Sequence, residues 1–184
     1  MTWKRHLAYL KYALRHKYYV WRGCWIVGGI PLWRAIAHDW DKFLPDEWRP
    51  YADTFYEPDG SERYQESPAF AAAWNRHQKR NRHHWQFWLL TWDRGETEAL
   101  PMPEADLREM VADWIGAGWA IAGRPNPIPW YQENRNRIIL HPATRQRLEE
   151  LLTQNRRNFR WIGMSADEAL SVFGIRHDED EEPI

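Results

Sequence analysis

Residues 104–122, EADLREMVADWIGAGWAIA, decide the fold class. Glu104 and Asp106 fall in what would be a first helical turn, where carboxylates meet the positive end of the helix dipole. Apolar and small residues follow almost without interruption, so this helix must be largely buried. Inside it stands Asp113, between Ala112 and Trp114, and an acid in that setting needs a cation or several donors beside it. Glu109 lies four residues earlier on the same face.

Outward from this segment the chain reads as helix on both sides. Residues 3–21 place Leu7, Leu10, Leu14 and Trp21 near a 3.6-residue period, which predicts that this face is the buried one. Pro31 can open a second short helix reaching Phe43, and Pro45 with Pro50 brackets a turn or short helix. Residues 69–92 read as one long helix, and another follows Pro142 to about residue 158. Ser165 to Glu168 form a capping box for a last short helix. Residues 57–68, 93–103 and 123–130 carry loop signals, and no alternating run predicts a sheet. The expectation is an all-α chain: one helical domain over 1–175, then an acidic, solvated tail over 176–184.

Composition narrows the function classes. Hydrophobic residues make up 43% and charged ones 28% of 184, an ordinary globular balance. Lys and Arg total 25 against 26 for Asp and Glu, which argues against a nucleic-acid partner. The longest apolar run, Trp25 to Trp33, is broken by Gly28, Gly29 and Pro31, far short of the roughly 20 residues of a membrane span. The charged N-terminus lacks the apolar stretch of a signal peptide. The lone Cys24 excludes an internal disulfide, so a cytoplasmic location is expected. The 14 tryptophans fall mostly at helical spacing and read as core packing.

The histidines are placed less evenly. His38 and Asp39 adjoin in AIAHDWDKF, and a buried pair of this kind needs a partner such as a divalent metal. His6 shares the predicted buried face of the first helix with Leu10, whereas His16 falls off that face and reads as solvated. In AWNRHQKRNRHHWQFW, residues 73–88, a continuous helix would bring His77, Asn81 and His84 to one face. His83 would then point away by about a third of a turn. Arg80 and Arg82 stand among them as cations able to bind phosphate.

The order His6, His38-Asp39 and Asp113 resembles the HD superfamily of helical metal-dependent phosphohydrolases. The run HDWDK is similar to that superfamily's His-Asp-x-x-Lys, with Lys42 in the lysine position. A closer resemblance is to a family of small phage and bacterial proteins of unknown function. Its pattern is met at His38, Asp39, Lys42, Pro45, Glu47, His77, Asn81, His83, His84, Trp88, Glu109, Met110 and Asp113. Lys79 stands where that pattern has glycine, which bears on whether the helix breaks before Asn81.

The resemblance implies an HD-like helical bundle holding one or two divalent transition metals, Mn, Fe, Ni or Zn. His38, Asp39, His77, His84 and Asp113 would bind them, with His6 completing one site and His83 the alternative to His84. Glu109 would hydrogen-bond a ligating histidine. Lys42, Arg80, Asn81 and Arg82 would meet a phosphorylated small-molecule substrate, and Glu47 would serve in acid–base work. The expected activity is hydrolysis of a nucleotide or related phosphate ester, including cyclic dinucleotides and signalling nucleotides. The alternatives are an HD-fold di-iron oxygenase, or a non-catalytic phage protein that binds a nucleotide signal or a host defence component. A phage origin would put the protein in the host cytoplasm.

Overall fold

The computed structural model describes residues 3–156 and 158. Seven α-helices carry this part: α1 (Trp3–Val27), α2 (Leu32–Ala37), α3 (Pro45–Phe55), α4 (Pro68–Arg80), α5 (Glu104–Ala122), α6 (Pro127–Asn134) and α7 (Pro142–Gln154). Short 3₁₀ turns occupy Trp40–Phe43 and Trp85–Trp88. The mostly helical fold agrees with the sequence reading. The expected helix at 165–168, Arg157 and the tail at 176–184 lie outside the described residues. No helix among the described residues is long and apolar enough to cross a membrane.

Two long helices, α1 and α5, form the central seam. A Cβ added at Gly116 would lie 2.3 Å from Val20 Cγ2, and one at Gly23 would lie 2.6 Å from the Ala112 carbonyl oxygen. Glycine at these two positions therefore permits the helices to approach closely. Around the seam Val20, Val27, Leu107, Met110, Val111 and Ile115 pack with Leu148 and Leu151 of α7. A second cluster joins Tyr9 of α1 to Tyr51 and Ala52 of α3 and Ala73 of α4.

Several sequence expectations change. The second helix ends at Ala37 rather than Phe43, because Asp39 reverses the chain, and residues 127–130, expected as loop, open α6. The buried face of α1 is Tyr9, Ala13, His16, Val20, Gly23 and Cys24, while Leu7, Leu14 and Trp21 are exposed. Close approach to α5 selects the small residues, and side-chain size pointed to the wrong face. The tryptophans divide: Trp48, Trp74, Trp85, Trp88, Trp114 and Trp119 pack partly buried against the core, whereas Trp25 and Trp33 are 69% and 66% exposed. Leu89–Thr91 and Thr97–Ala99 pair as an antiparallel hairpin, β1 and β2, where no strand was expected. Gly95, at φ 90°, closes its turn. Finally, the expected helix over 69–92 stops at Arg80.

Candidate metal centre

That stop has a local cause. Asn81 leaves helical geometry at φ −106° and ψ 110°, and its amide donates to the His77 carbonyl at 3.0 Å and to Asp41 Oδ2 at 2.6 Å. Asparagine binds its own helix end in this way and competes with further helix. Beyond it the backbone is irregular, so the adjacent His83 and His84 both face inward. In a helix they would diverge by about 100°.

A second local device sits at Asp39, the one non-glycine described residue with left-handed backbone, at φ 51° and ψ 30°. Aspartate tolerates this conformation better than most residues. The reversal between α2 and the 3₁₀ turn lets His38 and Asp39 reach the same interior. Lys17 Nζ anchors it by donating to the His38 carbonyl at 2.7 Å.

Two groups of potential ligands converge here. In the first, His16 Nε2 lies 3.3 Å from Asp39 Oδ2 and 3.2 Å from Asp113 Oδ1. His38 Nε2 lies 3.4 Å from each of the same two oxygens. In the second, Asp39 Oδ1 lies 3.5 Å from His77 Nε2 and 3.3 Å from His83 Nε2, with His84 close by. Within each group the ligand atoms are all within 4.8 Å of one another. Metal–donor bonds of about 2.1 Å would set neighbouring donors ~3.0–3.4 Å apart, so the spacing suits a coordinated ion.

The unpaired atoms test the fit. His16 Nε2, His38 Nε2, His77 Nε2, His83 Nε2, His84 Nε2 and both oxygens of Asp39 are buried without a hydrogen-bond partner. Each such atom costs about 1–3 kcal/mol if nothing satisfies it. Two of the opposite ring nitrogens are provided for: His38 Nδ1 lies 3.0 Å from Glu109 Oε1, and His77 Nδ1 lies 3.1 Å from Asp41 Oδ2 and 3.0 Å from Glu47 Oε2, whereas His16 Nδ1 is buried without a partner. Carboxylates behind the imidazoles, with bare nitrogens in front, are the arrangement of metal-ligating histidines. These buried His, Asp and Glu groups could hold a metal.

The electrostatics follow from the same packing. Burial pushes the His38 imidazole down, but Asp39, Asp113 and Glu109 outweigh it and hold its pKa at about 10. Burial likewise opposes protonation of His77, and Asp39, Asp41 and Glu47 raise its pKa to about 9. Asp39 and Asp113 are held well below the usual carboxylate range by the surrounding imidazoles, against the effect of burial. His84 is driven well below the ordinary imidazole value by burial and by its neighbours His83 and His77, so its ring is neutral.

Of the residues expected from sequence, His38, Asp39, His77, His83, His84 and Asp113 come together, with Glu109 behind His38. His6 does not join them: its Nδ1 accepts a hydrogen bond from Trp48 Nε1 at 3.1 Å. His16, expected in solvent, is 3% exposed and is the first-helix histidine that joins the group. Lys42 Nζ lies 2.6 Å from Asp39 Oδ2, off the angle of a hydrogen bond. Arg80 is paired with Asp46 and Glu47, and Arg82 with Asp106. Glu47 is fully buried against His77 and Arg80. Asp41 was missed; it sits inside HDWDK, where spacing gave no reason to prefer it to Asp39.

Fold and site together define a helical protein with a buried histidine–carboxylate centre. By sequence the chain belongs to DUF5662, a family of unknown function, which it matches over residues 5–154. Comparison with curated proteins and with solved structures found no match.

Proposed function

We propose that the chain is a metal-dependent phosphohydrolase of the HD type, acting on a nucleotide or related phosphate ester. The observation that carries this reading is the position of Asp39, whose two oxygens face two separate imidazole groups. His16, His38 and Asp113 would hold one ion and His77, His83 and His84 a second, with Asp39 shared. Mn, Fe, Ni and Zn all accept such donors. Paired ions of this kind supply Lewis acidity, lowering the pKa of bound water and stabilising phosphoryl oxygens.

The chain's own residues prepare for that chemistry. Glu109, Asp41 and Glu47 fix the imidazole tautomers by accepting at Nδ1, leaving Nε2 free to ligate. Lys42 carries its proton at Nζ beside Asp39 and offsets the negative charge there. Side-chain exposure of 13% at Asp113, against 4% at Asp39, marks the Asp113 side as the approach from solvent.

Metal-loaded protein should release phosphate or a nucleotide product from a panel of nucleotides and cyclic dinucleotides, and Asp39→Asn should abolish this. Absence of turnover across the panel, with oxygen consumed by the iron-loaded protein, would replace the reading with the di-iron one. Ligand binding without any turnover would favour a sequestering protein.

A further inference from the structure

Substrate recognition needs cations, and Lys42, Arg80 and Arg82 each lie against a carboxylate of the fold. The unengaged ones lie elsewhere. α1 carries Lys4, Arg5, Lys11, Arg15, Lys17 and Arg22 and no acidic residue. Lys4, Lys11 and Arg15 recur at seven- and four-residue steps, so they share a face. All three are exposed, and none forms an ion pair with another described residue.

This face is one wall of a cleft of about 690 Å³, closed on the other side by the end of α3 and the loop over 56–63. Its size is that of a small-ligand site. The loop seats against α1 at Gly60, where an added Cβ would lie 3.1 Å from the Lys4 carbonyl oxygen. Phe55, Tyr56 and Tyr12 give the cleft aromatic surface. The loop wall brings Asp59 and Glu62, which offset part of the charge of Lys4, Lys11 and Arg15, while Arg63 is turned to Glu57 and the Asp53 carbonyl. The three cations of α1 still outnumber the two loop carboxylates, so the net charge of the cleft is positive, and Lys11 and Arg15 form no ion pair with a described residue.

Tyr12 connects this cleft to the metal centre. Its ring lines the cleft and stacks on the ring of His16, 6.2 Å between centroids and 17° between planes. We infer that this cleft is the recognition site of the substrate, in which Lys11 and Arg15 bind phosphate and the Tyr12–Phe55–Tyr56 surface takes an aromatic base. The substrate class is then a nucleotide rather than an aliphatic phosphate ester. The inference rests on the phosphohydrolase reading for what happens to the ligand, but not for its binding.

The test is calorimetry on the metal-loaded full chain, with α,β-methylene-ADP and inorganic phosphate as separate probes. The expected result is tighter binding of the nucleotide analogue than of phosphate. Its affinity should fall by about 10- to 100-fold in the Lys11→Ala/Arg15→Ala variant, as for loss of charged hydrogen bonds. Metal content and melting temperature should stay unchanged in that variant, because both side chains are exposed. Equal affinity in wild type and variant, or phosphate binding as tightly as the analogue, would overturn the cleft assignment. Loss of analogue binding in the variant, in a protein that hydrolyses no phosphate ester, would leave the cleft standing and remove the hydrolase. Hydrolysis with an unchanged KM in the variant would do the reverse.

Discussion

His6 and His16 lie ten positions apart on α1, and only the second reaches the ligand group. Ten residues turn a helix by about 1000°, which leaves the two side chains ~80° apart in azimuth. One faces Trp48 and the other faces Asp39 and Asp113. His16→Ala should therefore lower the metal content of the purified protein, and His6→Ala should leave it as in wild type. Elemental analysis of both variants checks this; equal loss, or loss only in His6→Ala, would contradict the assignment. The residue types and their order were legible in the sequence, because buried histidines and aspartates have few other uses. The azimuth was not: it depends on which face of α1 meets α5, and that face is set by Ala13 and Gly23 rather than by the larger leucines.

Between elements, the α1–α5 seam and the break in α4 place the ligands. Gly116→Ala puts a methyl group against the backbone of Val20, where the nearest atoms include its nitrogen at 2.7 Å and Cα at 2.9 Å. The gain in helix propensity, about 1 kcal/mol, offsets part of the strain. A net loss of roughly 1–3 kcal/mol is expected, read as a melting temperature lower by about 2–4 °C per kcal/mol. An unchanged or raised melting temperature would mean that the seam is looser than described. The start and end of α5 were legible from its acidic first turn and from Gly123, which ends it at φ 63°. The end of α4 was hidden because Asn81 stops the helix by bonding to Asp41, a partner forty positions away.

Helices α5 and α7 are tied by Glu104, which accepts from Arg147 and also from Arg108. These guanidiniums, Arg147 first, hold the Glu104 carboxyl below its ordinary value despite some opposing burial. A depressed folded-state pKa contributes stability above the unfolded value of about 4.3, and that contribution is lost as pH falls. Denaturant titrations should show Glu104→Gln less stable than wild type near pH ~6, with the gap narrowing as pH falls below the unfolded value. A gap that widens on acidification would reverse the sign of this account. The effect is small, because the carboxylate is 43% exposed.

At the scale of the whole molecule, α1, α4, α5, the reversal after α2 and the segment after Asn81 each send side chains into the centre of unpaired Nε2 and Oδ atoms. An ion there would cross-link chain segments as far apart as His16 and Asp113, and an unfolded chain cannot assemble that ligand set. Binding free energy then adds to folding free energy, so chelation should lower the melting temperature and restored metal should recover it. The most direct measurement is the metal content of the full chain, by elemental analysis of wild type and Asp39→Asn purified side by side. Two transition-metal ions per chain in wild type, with both sites weakened in Asp39→Asn, is the predicted result. Wild-type protein that carries no metal, and takes up none from Mn, Fe, Ni or Zn, would contradict it.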